Sequence, residues 1–108
     1  MNNKNRLIEL NNYFIELRKI LIQENENNFI RGIDVILNRI QHSLNYDENA
    51  KATIESVGDT YSFMNSGNGS FSDFFIWREN FDERVEVNEV LIELRNKITF
   101  LIASVNDN

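Results

Sequence analysis

Apolar residues recur along this chain at helical spacing. In "RLIELNNYFIELRKILIQ", Leu7, Leu10, Phe14, Leu17 and Leu21 step by three and four, which predicts a helix with one buried stripe. Ile8, Ile20 and Ile22 widen that stripe, while Asn11 and Asn12 fall between its positions. "ENENN" then breaks the pattern, with Asn27 or Asn28 available to cap the next helix. A second stripe follows in "FIRGIDVILNRIQHSL": Phe29, Ile33, Ile36, Ile40 and Leu44 share a face, flanked by Ile30 and Leu37. Gly32, near the first turn, costs up to about 1 kcal/mol in a helix interior unless it admits a close neighbour. Asp47 is placed to cap a shorter third helix through "ENAKATIESV", with Ala50, Ile54 and Val57 inward and Gly58 closing its last turn. In "DERVEVNEVLIELRNKITFLIASV" the stripe is Val87, Leu91, Leu94, Ile98, Leu101 and Val105, broadened by Val90 and Ile102. Asp82 and Glu83 stand at its start, where the helix dipole favours negative charge. The tail "NDN" is expected to fray.

Between the third and last helices the character changes. Tyr61, Phe63, Phe71, Phe74, Phe75 and Trp77 crowd this stretch, interrupted by the glycine loop of "NSGNGSFSD". One reading is a hairpin, with "TYSFM" and "FFIW" as strands. The favoured reading is a loop leading into a short helix, with Ser70 and Asp73 in capping-box spacing and residues 74–77 presented to the core. Gly67 and Gly69 supply positive φ for the turn. A phosphate loop would need a lysine directly after the glycines, and the nearest downstream cation is Arg78. A dinucleotide fingerprint fails too, since Ser72 replaces its last glycine. The expected fold is therefore all-α: a single domain over residues 1–108, a compact helical bundle of about four to five helices with an aromatic, glycine-containing irregular loop.

Composition narrows the function. The 108 residues are 42% hydrophobic, enough for one core, and contain no proline. The net charge is −6, with a pI near 4.7. That balance argues against nucleic acid and against anionic membrane surfaces, which need clustered Lys and Arg, and suits a basic protein partner. Cysteine is absent, which excludes disulfides and thiolate metal sites. "MNNKNRLIEL" carries no signal-peptide pattern, so a cytoplasmic location is expected. The sequon Asn68-Gly69-Ser70 is discounted for the same reason. His42 is the only histidine. Its neighbour Ser43 points about 100° away on a helix, and Arg39 stands where a Glu-x-x-His metal motif needs a glutamate. No catalytic residue, metal or cofactor is implied. The ordered charge feature is Asp82, Glu86, Glu89 and Glu93, whose spacing sets four carboxylates on one helix face, as a solvated surface or a docking surface for a basic partner. Trp77, beside Phe74 and Phe75, is a candidate interface anchor, although core placement is favoured for it.

In "TYSFMNSGNGSFSDFFI" an aromatic (Tyr61) precedes a Gly-x-Gly-Ser turn (Gly67, Gly69, Ser70), an apolar residue (Phe71) and an aspartate (Asp73). This resembles a family of small helical bacterial immunity proteins found beside secreted toxins, contact-dependent growth inhibition systems among them. Ser66 takes one place of an expected glycine pair, and the motif spans about one sixth of the chain. The resemblance implies an antitoxin that neutralises a cognate toxin domain, a nuclease being the expected kind, and it implies no catalytic residues. The rival reading is a regulatory or adaptor module that dimerises through a helix stripe. A carboxylate hydrolase is third.

Overall fold

The computed structural model describes residues 1–67 and 69–105. Four α-helices run in the order α1 (Asn3–Gln23), α2 (Ile30–Asn45), α3 (Ala50–Met64) and α4 (Phe81–Ala103). A 3-10 turn, Phe71–Asp73, interrupts the connection between α3 and α4. No strand occurs among the described residues, so the fold is all-α and the hairpin reading is discarded. Both "TYSFM" and the preceding residues belong to α3. The expected frayed tail, residues 106–108, lies outside the described residues, as does Asn68 of the sequon.

The predicted stripes are the core. Leu7, Leu10, Phe14, Leu17 and Leu21 are buried against Ile33, Ile36 and Ile40 of α2, Ile54, Val57 and Tyr61 of α3, and Leu91, Leu94, Ile98 and Leu101 of α4. α1 touches all three other helices, whereas α3 meets α4 only lightly. The stripes are narrower than expected: Ile8, Ile22 and Val90 are exposed. The bundle measures 46 × 25 × 24 Å with a radius of gyration of 14.4 Å. That exceeds the roughly 13 Å of a globule of this length, because long helices lie side by side.

Three helix boundaries differ from the sequence reading. α2 starts at Ile30 with Phe29 ahead of it and no side-chain cap. Neither candidate asparagine caps it: the Asn28 backbone N–H donates to Glu26 Oε1 at 3.2 Å, and Phe29 packs its ring on Phe71, centroids 5.1 Å apart. Asp47 does not cap α3; Asn49 does, its side chain accepting from the Ala52 N–H at 3.0 Å. Asp47 sits at φ 50° and closes α2 instead, as Asn25 at φ 56° closes α1. In each, the next N–H reaches back across the last turn, Glu26 to Leu21 O and Glu48 to Ser43 O, both 2.9 Å. These are six-to-one helix-ending bonds with Asn or Asp in the position glycine usually holds. Gly58 does not end α3, which runs on to Met64. Its role is contact: a Cβ there would lie 2.9 Å from Ile102 Cγ2 on α4.

Candidate functional site

The segment between the 3-10 turn and α4 sets up the outer surface. Gly67 and Gly69 adopt φ of 85° and 73°, with nothing near their missing side chains, so the loop uses them for backbone reversal. Ser70 precedes the turn without a capping bond; its hydroxyl meets Ser72 Oγ at 2.7 Å. Asp73 Oδ2 accepts from the Gly69 N–H at 2.8 Å, so one half of the expected capping box is replaced by a bond to the glycine itself. Phe71 is fully buried on Phe29, Tyr61 and Phe74.

Beyond Asp73 the chain leaves the helical turn with Phe74 in an extended conformation, and exposure alternates from residue to residue. Ile76 is 4% exposed and Phe74 half-buried, whereas Phe75 is 60% and Trp77 61% exposed. This corrects the expectation that residues 74–77 enter the core: Ile76 takes the inner place and turns Trp77 outward. Asn88 of α4 holds the register. Its Oδ1 accepts from the Ile76 N–H and its Nδ2 donates to the Ile76 carbonyl, both at 2.8 Å. Arg78 then ties the segment to the end of α1 through Glu24, at 2.6 and 2.8 Å. Those bonds hold the Glu24 carboxyl below the usual range for a glutamate.

α4 begins at Asn80, whose side chain accepts from the Glu83 N–H at 3.0 Å. At about 100° per residue, its carboxylate row is centred roughly 130° from its buried stripe. Asp82, Glu86, Glu89 and Glu93 are all exposed. Glu93 pairs with Lys97 at 3.2 Å; the other three have no ion-pair partner among the described residues. The row has apolar company that periodicity did not single out. Phe81, Val85, Ile92 and Phe100 are all exposed, Phe81 at 67%. The first three line up on the other flank of the row from the core. Arg84 fixes the aromatic end: its guanidinium carbon lies 4.2 Å from the Trp77 ring centroid and 5.5 Å from that of Phe81. The structure thus brings the sequence-predicted Trp77 to the same end of α4 as Asp82 and Glu86. The missed residues do carry a signal, a second apolar repeat at Phe81, Val85 and Ile92, masked by the stronger core repeat of the same helix.

His42 is exposed, with Nδ1 3.2 Å from Glu48 Oε1, which also accepts from Arg39 at 2.9 Å. Ser43 is buried and accepts from the Thr53 hydroxyl at 2.7 Å, so the neighbouring pair does separate as helix geometry requires. Among the described residues no three His, Asp or Glu side chains converge as a metal set. Among the described residues no helix is long and apolar enough to cross a membrane. The architecture defines a four-helix, all-α module with an acidic and aromatic outer face. No family model, curated protein or solved structure matches the chain.

Proposed function

We propose that this chain is a cytoplasmic immunity protein that binds a cognate toxin domain stoichiometrically and blocks it with the outer face of α4. The observation that carries the reading is the joint exposure of three carboxylates without an ion-pair partner among the described residues, Asp82, Glu86 and Glu89, flanked by Phe81, Val85 and Ile92, with Trp77 exposed on Arg84 at the N-terminal end of the helix. Exposed apolar side chains rimmed by charge are the usual make-up of a protein-binding surface. The sign of the rim selects a basic partner, and a nuclease domain, which holds phosphates with Lys and Arg, offers that complement. The net charge of −6 adds long-range steering toward such a target. The same charge counts against the dimerising-module reading, since a second copy docked on α4 would set two carboxylate rows against each other.

The test is to express any secreted-toxin domain that a neighbouring gene encodes and measure its binding to this chain. Glu86→Lys with Glu89→Lys is expected to weaken that binding about ten-fold or more and to flatten its dependence on salt. Unchanged affinity and salt slope in the double variant would discard this surface. A stable homodimer in native mass spectrometry, with no affinity for the toxin domain, would instead favour the dimerising module.

A further inference from the structure

A cavity of about 450 Å³ opens between the second half of α3 and the C-terminal half of α4. Its volume falls within the range that small-molecule sites occupy. The helices close on each other where Gly58 meets Ile102, and the space beside that contact is lined by Ile102, Ala103 and Tyr61. Arg95 supplies the one positive charge in the lining, and Ser72, Thr99 and Asn65 add neutral polar groups.

Arg95 is poorly compensated. One Nη donates to the Phe71 carbonyl at 2.5 Å, and the guanidinium carbon lies 4.4 Å from the Phe71 ring centroid. Its Nε is buried and has no hydrogen-bond partner among the described residues. No carboxylate there lies within ion-pair distance of it, in contrast to Arg18, Arg39 and Arg78, which each hold one. Burial pushes the guanidinium pKa down and the nearby Tyr61 phenol up, so the phenol is neutral at physiological pH and supplies no counter-charge. A cation partly removed from water and left without an anion is costly, and an anionic ligand removes that cost.

We propose that this cavity binds a small organic carboxylate with an apolar body, its carboxylate on Arg95 with the Ser72 and Thr99 hydroxyls in reach, and its body against Tyr61, Ile102 and Ala103. Arg95 lies roughly 150° round α4 from the acidic row, and the α4 residues of the cavity lie C-terminal to Ile92, so Glu86→Lys with Glu89→Lys leaves this lining unchanged and the two readings are tested separately.

Benzoate is the probe, with benzyl alcohol as its neutral counterpart and inorganic phosphate as an anion without the body. Isothermal titration and 1H–15N spectra, including the Arg95 Nε–Hε signal, read the binding. Benzoate is expected to bind saturably at one site and to shift the Arg95 signal, with both counterparts about ten-fold weaker or more. Arg95→Gln and Ala103→Phe are each expected to weaken benzoate by a similar factor. Ala103→Phe fills the cavity from an exposed position in the last turn of α4 and leaves Arg95 and its bond to Phe71 in place, so it decides the matter if Arg95→Gln fails to fold. Absence of saturable benzoate binding, equal binding by benzyl alcohol or phosphate, or unchanged affinity in folded Ala103→Phe would overturn the assignment.

Discussion

At the scale of single residues, Asn88 and Gly58 have the largest consequences for their size. Asn88 satisfies both backbone groups of the buried Ile76, and also donates to the Arg84 carbonyl at 2.7 Å. Asn88→Ala strands a buried N–H and C=O together and is expected to cost about 2–4 kcal/mol by urea denaturation. Amide exchange over residues 74–78 should accelerate in the same variant. The two helical glycines should respond differently to alanine. At Gly32 the added Cβ meets the end of a flexible side chain, Met64 Sδ at 2.7 Å, which can move aside. Gly32→Ala is therefore expected to be neutral or to stabilise by up to about 1 kcal/mol through helix propensity. At Gly58 the obstacle is a methyl of the β-branched Ile102, whose rotamer is stiff. Gly58→Ala is expected to destabilise by about 1–3 kcal/mol, and an equal thermal midpoint for the two variants would contradict this. Neither assignment was legible in the sequence. Asn88 is one of many asparagines, and the contact at Gly58 joins residues 44 positions apart.

Among the elements, α4 carries most of the surface chemistry, and its sequence shows why only half of it was legible. The core stripe through Leu91, Leu94, Ile98 and Leu101 and the acidic row both follow helical spacing and were readable directly. Phe81, Val85 and Ile92 use the same spacing on another face, and this shorter repeat is masked by the longer core stripe of the same helix. The segment ahead of α4 posed a different ambiguity. Four consecutive apolar residues, 74–77, read as core until the alternation of an extended chain sends Phe75 and Trp77 outward. Trp77→Ala should accordingly leave stability nearly unchanged, by no more than about 0.5 kcal/mol. If α4 is the toxin-binding face, the same substitution should weaken the complex by about 2 kcal/mol, measured by surface plasmon resonance. A large drop in stability with intact binding would return Trp77 to a structural role.

For the whole molecule, the Glu24–Arg78 pair joins the end of α1 to the segment that leads into α4. Arg78 lowers the Glu24 pKa chiefly by hydrogen bonding, so the folded state holds the carboxylate more strongly than the unfolded chain does. The resulting stabilisation is present above the unfolded pKa and is lost as pH falls through the lower, folded value. Glu24→Gln should thus be less stable than the parent at pH 7, and the gap should close below about pH 4 in parallel thermal melts. A gap that persists at pH 2 would assign the loss to packing. The sequence by itself determined the four helices, their buried stripes and the exposed acidic row, because each is a local period that any window of the chain reveals. The tertiary structure alone decided that Asn25 and Asp47 end helices, that Ile76 displaces Trp77 to the surface, and that Arg95 faces a cavity with no counter-charge among the described residues. Those outcomes depend on which distant element fills a given space, and no periodicity within one segment encodes that competition.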